Sequence, residues 1–296
     1  MSNLQINIDF LFIFIYNINM KLFFVKKISL FFCFIAVLNL SLSTYAYEFD
    51  FFYKHREILM QDIQHDLTYF GEEFTINDYN DILKVYKLFE NDIYYARYYP
   101  FDLNIIKKDI VSNNNFLDYV LITGDSYSWN LYNCFVKYYD YKNGVMQNAG
   151  HTVVENLEIY KNAMSSEYPI IVLSTSVNDV LRQTDITLFK NTIEELFDFA
   201  RINNKLVVIH SNCDFFVNGV SANSPDLFVN RPKVYDEIIK LTSIKYENVV
   251  YVDCKHIATR EYLSSDDIHY NEKFHYQLAK EIYDSIKNLL YKGSLS

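Results

Sequence analysis

The chain has 296 residues, half of them apolar, with 27 tyrosines and 24 phenylalanines against six glycines and four prolines. That length and apolar share allow a sizeable core in one globular unit. The formal charge is −10, and no Lys/Arg cluster interleaves with aromatics beyond the first 30 residues, which argues against nucleic acid or an anionic membrane as a partner.

From Met20 the chain reads as an export signal. Lys21, Lys26 and Lys27 form a basic start, Ile28 to Leu40 an apolar stretch, and Thr44 and Ala46 small residues at −3 and −1 of a cleavage site. The apolar stretch is short for a membrane span, and the three lysines interrupt the longer anchor that would run from about Phe10 to Leu40. Residues 1–46 are therefore read as a signal peptide, with Met20 a candidate start and residues 1–19 outside the scheme. The expected location is secreted or periplasmic, with no stable membrane anchor after cleavage and a mature charge of about −12. Cys33 leaves with the signal. Cys134, Cys213 and Cys254 remain, an odd number that permits at most one bridge. No Cys-x-x-Cys or histidine-rich spacing suggests a metal, and none is expected.

Residues 47–117 read as a helical extension, with helices over Asp50 to Phe70 and Ile76 to Tyr98. From residue 118 the pattern changes. Short apolar runs at 118–123, 145–148, 168–175, 205–211 and 248–253 alternate with amphipathic stretches at 127–141, 152–164, 186–203, 231–244 and 271–291. Runs such as Ile170 to Leu173 and Leu206 to Ile209 lack polar alternation, as parallel strands covered on both faces do. Five βα units in order predict an α/β fold over 118–296: a three-layer α/β/α sandwich with a five-stranded parallel sheet and right-handed crossovers. No Gly-x-Gly-x-x-Gly and no phosphate loop follows any strand, so no nucleotide cofactor is expected.

In such folds chemistry gathers at the carboxyl ends of the strands. Strand one leads into Gly124-Asp125-Ser126, strand two into Asn148-Ala149-Gly150-His151, and strand three into Ser174 to Asp179 with Asn178 inside it. Asp266-Asp267-Ile268-His269 precedes the last helix. Each alone is ordinary turn or cap chemistry. Together they set a hydroxyl, a glycine N–H, a carboxamide and an Asp/His pair on one rim. A serine on a sharp strand-to-helix turn presents its hydroxyl beside the N–H groups of a helix start, and acyl transfer needs both.

This ordered set resembles the SGNH (GDSL-like) hydrolases over about residues 117–291, and the resemblance implies a flavodoxin-like sandwich of that type. It implies Ser126 as nucleophile and His269 as general base and then acid, with Asp266 orienting the imidazole. Ser126 and Gly150 N–H groups and the Asn178 amide would form the oxyanion hole. The implied activity is esterase: hydrolysis of a small acyl ester, with O-acetyl groups on carbohydrate the favoured substrate. An O-acetyltransferase with the same triad, or a silent carbohydrate-binding module on the same scaffold, are the alternatives.

Two positions depart from the family's pattern. Ser176 stands where a glycine usually precedes the asparagine by two, and Tyr127 replaces the leucine after the nucleophile. A rival pair, Asp253 and His256, repeats the Asp-x-x-His spacing after a strand, but Asp266/His269 opens a long final helix as the family's last block does. His55, His65, His151, His210 and His275 read as structural or surface residues. Asp125 and Asp179 read as acids that brace loops through backbone N–H groups. Cys213 and Cys254 end neighbouring strands, a placement that allows a disulfide.

Overall fold

The computed structural model describes residues 54–64, 75–89, 101–111, 115–211, 231–265 and 268–291. The chain divides into two compact units, Met1–Glu57 and Ile58–Ser296. Of the first, only residues 54–57 are described, at the start of a helical stretch over 54–64 (α1). The signal segment 1–46 and Cys213 lie outside the described residues.

Two further helices precede the sheet, α2 (Ile76–Phe89) and α3 (Leu103–Val111). The second of these was not expected from the sequence. The sheet has five parallel strands: β1 (Val120–Gly124), β2 (Val145–Gln147), β3 (Ile170–Ser174), β4 (Leu206–His210) and β5 (Val249–Val252), in the order β2-β1-β3-β4-β5. That order is the flavodoxin-like arrangement, with its switch point between β1 and β3. The three central strands are buried along their whole length, whereas β2 and β5 at the edges are partly open. Continuous Val/Ile/Leu runs are what two covering layers require.

The covering helices are α4 (Ser126–Tyr139), α5 (Leu157–Met164), the short α6 (Val177–Arg182), α7 (Ile186–Ile202), α8 (Arg231–Ile244) and α9 (Glu272–Tyr291). Helix α4 packs on α9, and α7 lies between α5 and α8. Phe135, Tyr160, Phe189, Phe197, Tyr235 and Phe274 fill the space between helices and sheet, each contributing about 1.5–3 kcal/mol by removal from water. Helix α2 is fastened to α8 by Tyr86 Oη, which donates to Glu237 Oε1 at 2.7 Å.

The expected helix at 152–164 begins only at Leu157. Glu155 accepts from Thr152 N at 2.8 Å and from its hydroxyl at 3.1 Å, so the residues before Leu157 close a turn of their own. No helix among the described residues is long and apolar enough to cross a membrane.

Candidate active site

The site begins where β1 runs out. Gly124 pairs with Ser174 of β3, and a Cβ at Gly124 would stand 1.9 Å from the Ser174 carbonyl oxygen. Only glycine fits so close an approach. The chain then turns: Asp125 N–H donates to Ser174 O at 2.9 Å, and the Asp125 carboxylate accepts from Tyr127 N at 3.0 Å as the cap of α4. Ser126 is thereby the first residue of α4, where backbone N–H groups have no partner within the helix.

Ser126 Oγ lies 2.8 Å from His269 Nε2, although 143 positions separate the two in sequence. The histidine sits on a segment fastened at several points. Ser264 N donates to His269 O at 2.7 Å, and Asn271 N to Tyr262 O at 2.6 Å. Tyr127 Oη donates to Ile268 O at 2.5 Å, and its ring centroid is 5.7 Å from that of the imidazole. The tyrosine that departs from the family's leucine thus ties the start of α4 to the histidine segment. Asn271 caps α9 through Lys273 N at 3.0 Å and Phe274 N at 3.4 Å. Asp266 lies outside the described residues. The rival His256 is an exposed side chain 3.7 Å from Glu281.

Gly150 adopts φ +77, a conformation that other residues rarely take, in open space where a side chain would meet nothing. Backbone geometry, and not crowding, selects glycine here. Its N–H makes no hydrogen bond among the described residues. Asn178, the second residue of α6, is buried, and its Nδ2 has no hydrogen-bond partner among the described residues. A buried carboxamide donor without an acceptor is uncommon, and such a group calls for a specific reason. Ser176, two residues earlier, is held at φ +91. That is the region glycine favours, which gives the family's glycine at this place a physical reason.

Arg182 joins the two loops, and nothing in the sequence had marked it except its place four residues after Asn178. Its Nη1 donates to both Glu155 oxygens, at 2.8 and 2.9 Å, and its Nη2 to Gly150 O at 2.5 Å. Asp179 adds a second tie, Oδ2 accepting from Val153 N at 2.9 Å. Asp125 and Asp179 both brace backbone amides, and neither is solvated. Burial pushes the Asp125 carboxyl up to about 6, against the Tyr127 N–H that favours its anion. Burial likewise raises Asp179 to about 7, opposed by the Val153 N–H and reinforced by the nearby Asp125 charge.

Over Ser126 lies a cleft of about 310 Å³ lined by Ser126, Trp129, Asn130, Gln147, Ala149 and His269. Trp129 is 47% exposed and lies 5.5 Å, ring to ring, from Tyr132. It stands one turn after Ser126 on α4, a spacing that could have drawn attention to it. Two further histidines have other contacts: His210 is buried, its ring nitrogens 2.8 Å from Ser174 Oγ and Ser211 O, and His151 Nδ1 lies 2.9 Å from Ala149 O. Cys254 is buried, its Sγ 3.1 Å from Ser211 Oγ.

No family model matches the chain, and no curated protein matches it. Solved structures do. A GDSL-like lipase from Bacteroides thetaiotaomicron aligns with a TM-score of 0.50 at 12% identity, covering 63% of this chain and 96% of its own. LAE5, an alpha/beta hydrolase enzyme from the metagenome of Lake Arreo, aligns at TM-score 0.44 and 18% identity over 57% of this chain and 95% of its own. A variant of the acetyl xylan esterase Axe2 from Geobacillus stearothermophilus gives 0.43 and 17% over 55% and 93%. The likeness is one of fold: the chain shares its layered α/β arrangement with that GDSL-like lipase.

Proposed function

We propose that the chain is an exported serine esterase of SGNH type that removes a small acyl group, O-acetyl in the first instance, from a carbohydrate. The observation that carries this reading is the 2.8 Å contact of Ser126 Oγ with His269 Nε2 at the floor of an open cleft. The unpaired Asn178 amide supports it as a donor awaiting an oxyanion.

In this mechanism Ser126 Oγ attacks the acyl carbonyl carbon while His269 Nε2 takes the hydroxyl proton. The carbonyl oxygen becomes an oxyanion held by the N–H groups of Ser126 and Gly150 and by Asn178 Nδ2. Collapse breaks the ester C–O bond, and His269 returns the proton to the leaving alcohol. Water then attacks the acyl-enzyme by the same route and releases the acid. Asp266 is assigned to the other imidazole nitrogen, where it fixes the tautomer. A carbohydrate leaving group is supported by the partly exposed indole of Trp129 and by the amides of Asn130 and Gln147 around the nucleophile. Export rests on the segment from Met20 to Ala46.

The test is fluorophosphonate labelling of Ser126 together with hydrolysis of p-nitrophenyl acetate. His269→Ala is expected to abolish hydrolysis and His256→Ala to retain it. Retention in the first and loss in the second would overturn the assignment of the base.

A further inference from the structure

A second cavity, of about 250 Å³, opens between α4 and the start of α9, lined by Asn130, Asn133, Lys137, Tyr270, Glu272 and His275 among others. Asn130 belongs to this cavity and to the cleft over Ser126, so the two adjoin. Ser126, Asn130, Asn133 and Lys137 follow one another at three- and four-residue spacing, along one face of α4. Asn130 is thus about 6 Å and Asn133 about 10 Å along the helix axis from the nucleophile.

The chemistry of the lining is specific. His275 is 1% exposed, and neither ring nitrogen has a hydrogen-bond partner among the described residues. Burial, with the nearby His210 and His269, lowers its pKa to about 3, so the ring is neutral and offers one donor and one acceptor. The carboxamides of Asn130 and Asn133 also offer both. Lys137 and Glu272 form an ion pair across the rim, which leaves the cavity without net charge from that pair. Groups that donate and accept in equal measure, around a volume below that of drug-sized sites, suit one polyhydroxylated ring. A phosphate or carboxylate ligand has no unpaired cation to meet there.

We infer that the α4/α9 cavity is a second sugar subsite, which holds the glycosyl unit next to the one whose acyl group lies over Ser126. This rests on the esterase reading above and makes the substrate an oligosaccharide or a chain end. The axial separation of Asn133 from Ser126 is too great for a single ring to engage both.

The experiment compares kcat/KM for O-acetylated mono- and disaccharides built on xylose, glucose and N-acetylglucosamine. Wild type is expected to favour the disaccharide by tenfold or more on at least one backbone. Asn133→Trp, an exposed position whose indole would occupy the cavity, is expected to bring that ratio to within threefold of unity. Lys137→Trp, one turn further along α4, supplies the same comparison should the first variant misfold. Equal rates for mono- and disaccharide on all three backbones, or a preference that survives the cavity-filling variants, overturn the inference. Loss of the esterase reading itself would look different: no p-nitrophenyl acetate hydrolysis and no label on Ser126. In that event calorimetric titration with the unacetylated disaccharides decides, and absence of binding by all three overturns the subsite.

Discussion

Asn178 and Ser176 show how much a single residue carries at this site. The buried Nδ2 of Asn178 has no partner among the described residues, so its desolvation is uncompensated until an acceptor arrives. Asn178→Ala is expected to lower kcat by about 10²–10³, with KM little changed, since such donors act in the transition state; steady-state kinetics on p-nitrophenyl acetate reads this directly. Ser176 holds a left-handed backbone that costs a non-glycine residue about 1–2 kcal/mol, more than the roughly 0.5–1 kcal/mol of extra chain entropy glycine would lose. Ser176→Gly is therefore expected to raise Tm by about 2 °C in a thermal melt. A lower Tm would mean that the hydroxyl contact with the Thr175 carbonyl outweighs the strain.

At the scale of elements, the site is held together by ties between segments that the strands alone do not align. Tyr127 fastens the head of α4 to the histidine segment through the Ile268 carbonyl. Tyr127→Phe removes that bond, worth about 1 kcal/mol, and is expected to lower kcat roughly fivefold if the loss is expressed in the transition state. The KM/kcat split tells a loosened histidine from a general loss of stability. The strands and their carboxyl ends were legible in the sequence because apolar runs such as Ile170 to Leu173 and Leu206 to Ile209 have one physical reading, burial on both faces. From that topology the meeting of Ser126 with His269 could be anticipated. The clamp of Arg182 on Gly150 could not, since it depends on how far α6 extends and where its guanidinium reaches. Helix α3 is hard to read for a different reason: Asp102 caps it, accepting from Asn104 N at 2.9 Å, and Leu103, Ile106 and Ile110 keep helical spacing, but nine residues give that pattern little length to register. Ser176, by contrast, is visible in the sequence as a departure, and the structure shows what it costs, a left-handed backbone at a residue with a side chain.

Over the whole molecule, two buried acids make stability fall with rising pH, opposed below about pH 6.5 by buried His275, whose lowered pKa of about 3 has the opposite sign. Asp179 titrates near 7 in the folded chain and near 3.9 when unfolded. Between those values the folded state holds a proton that the unfolded state has released. Stability contributed by the protonated group is complete below about pH 4 and is lost as pH rises through about 7. Asp125 adds the same sign up to about pH 6. Asp179→Asn keeps an acceptor for Val153 N–H without the charge, so its stability relative to wild type is expected to improve by on the order of 3 kcal/mol between pH 4 and pH 8. Denaturant melts at the two pH values measure it, and a difference independent of pH would refute the role given to burial. Asp179 braces the loop that carries Gly150, so that variant links fold stability to the same rim as the chemistry.

Trp129 is the sole indole in the chain and stands at the lip of the Ser126 cleft. Excited at the long-wavelength edge of the aromatic band, where the 27 tyrosines scarcely absorb, the unmodified protein therefore emits from one spot, and any guest that shields that ring shifts the colour or dims the glow without a dye attached. Occupancy can be followed in real time on the native chain, by a lamp that the polypeptide brings with it.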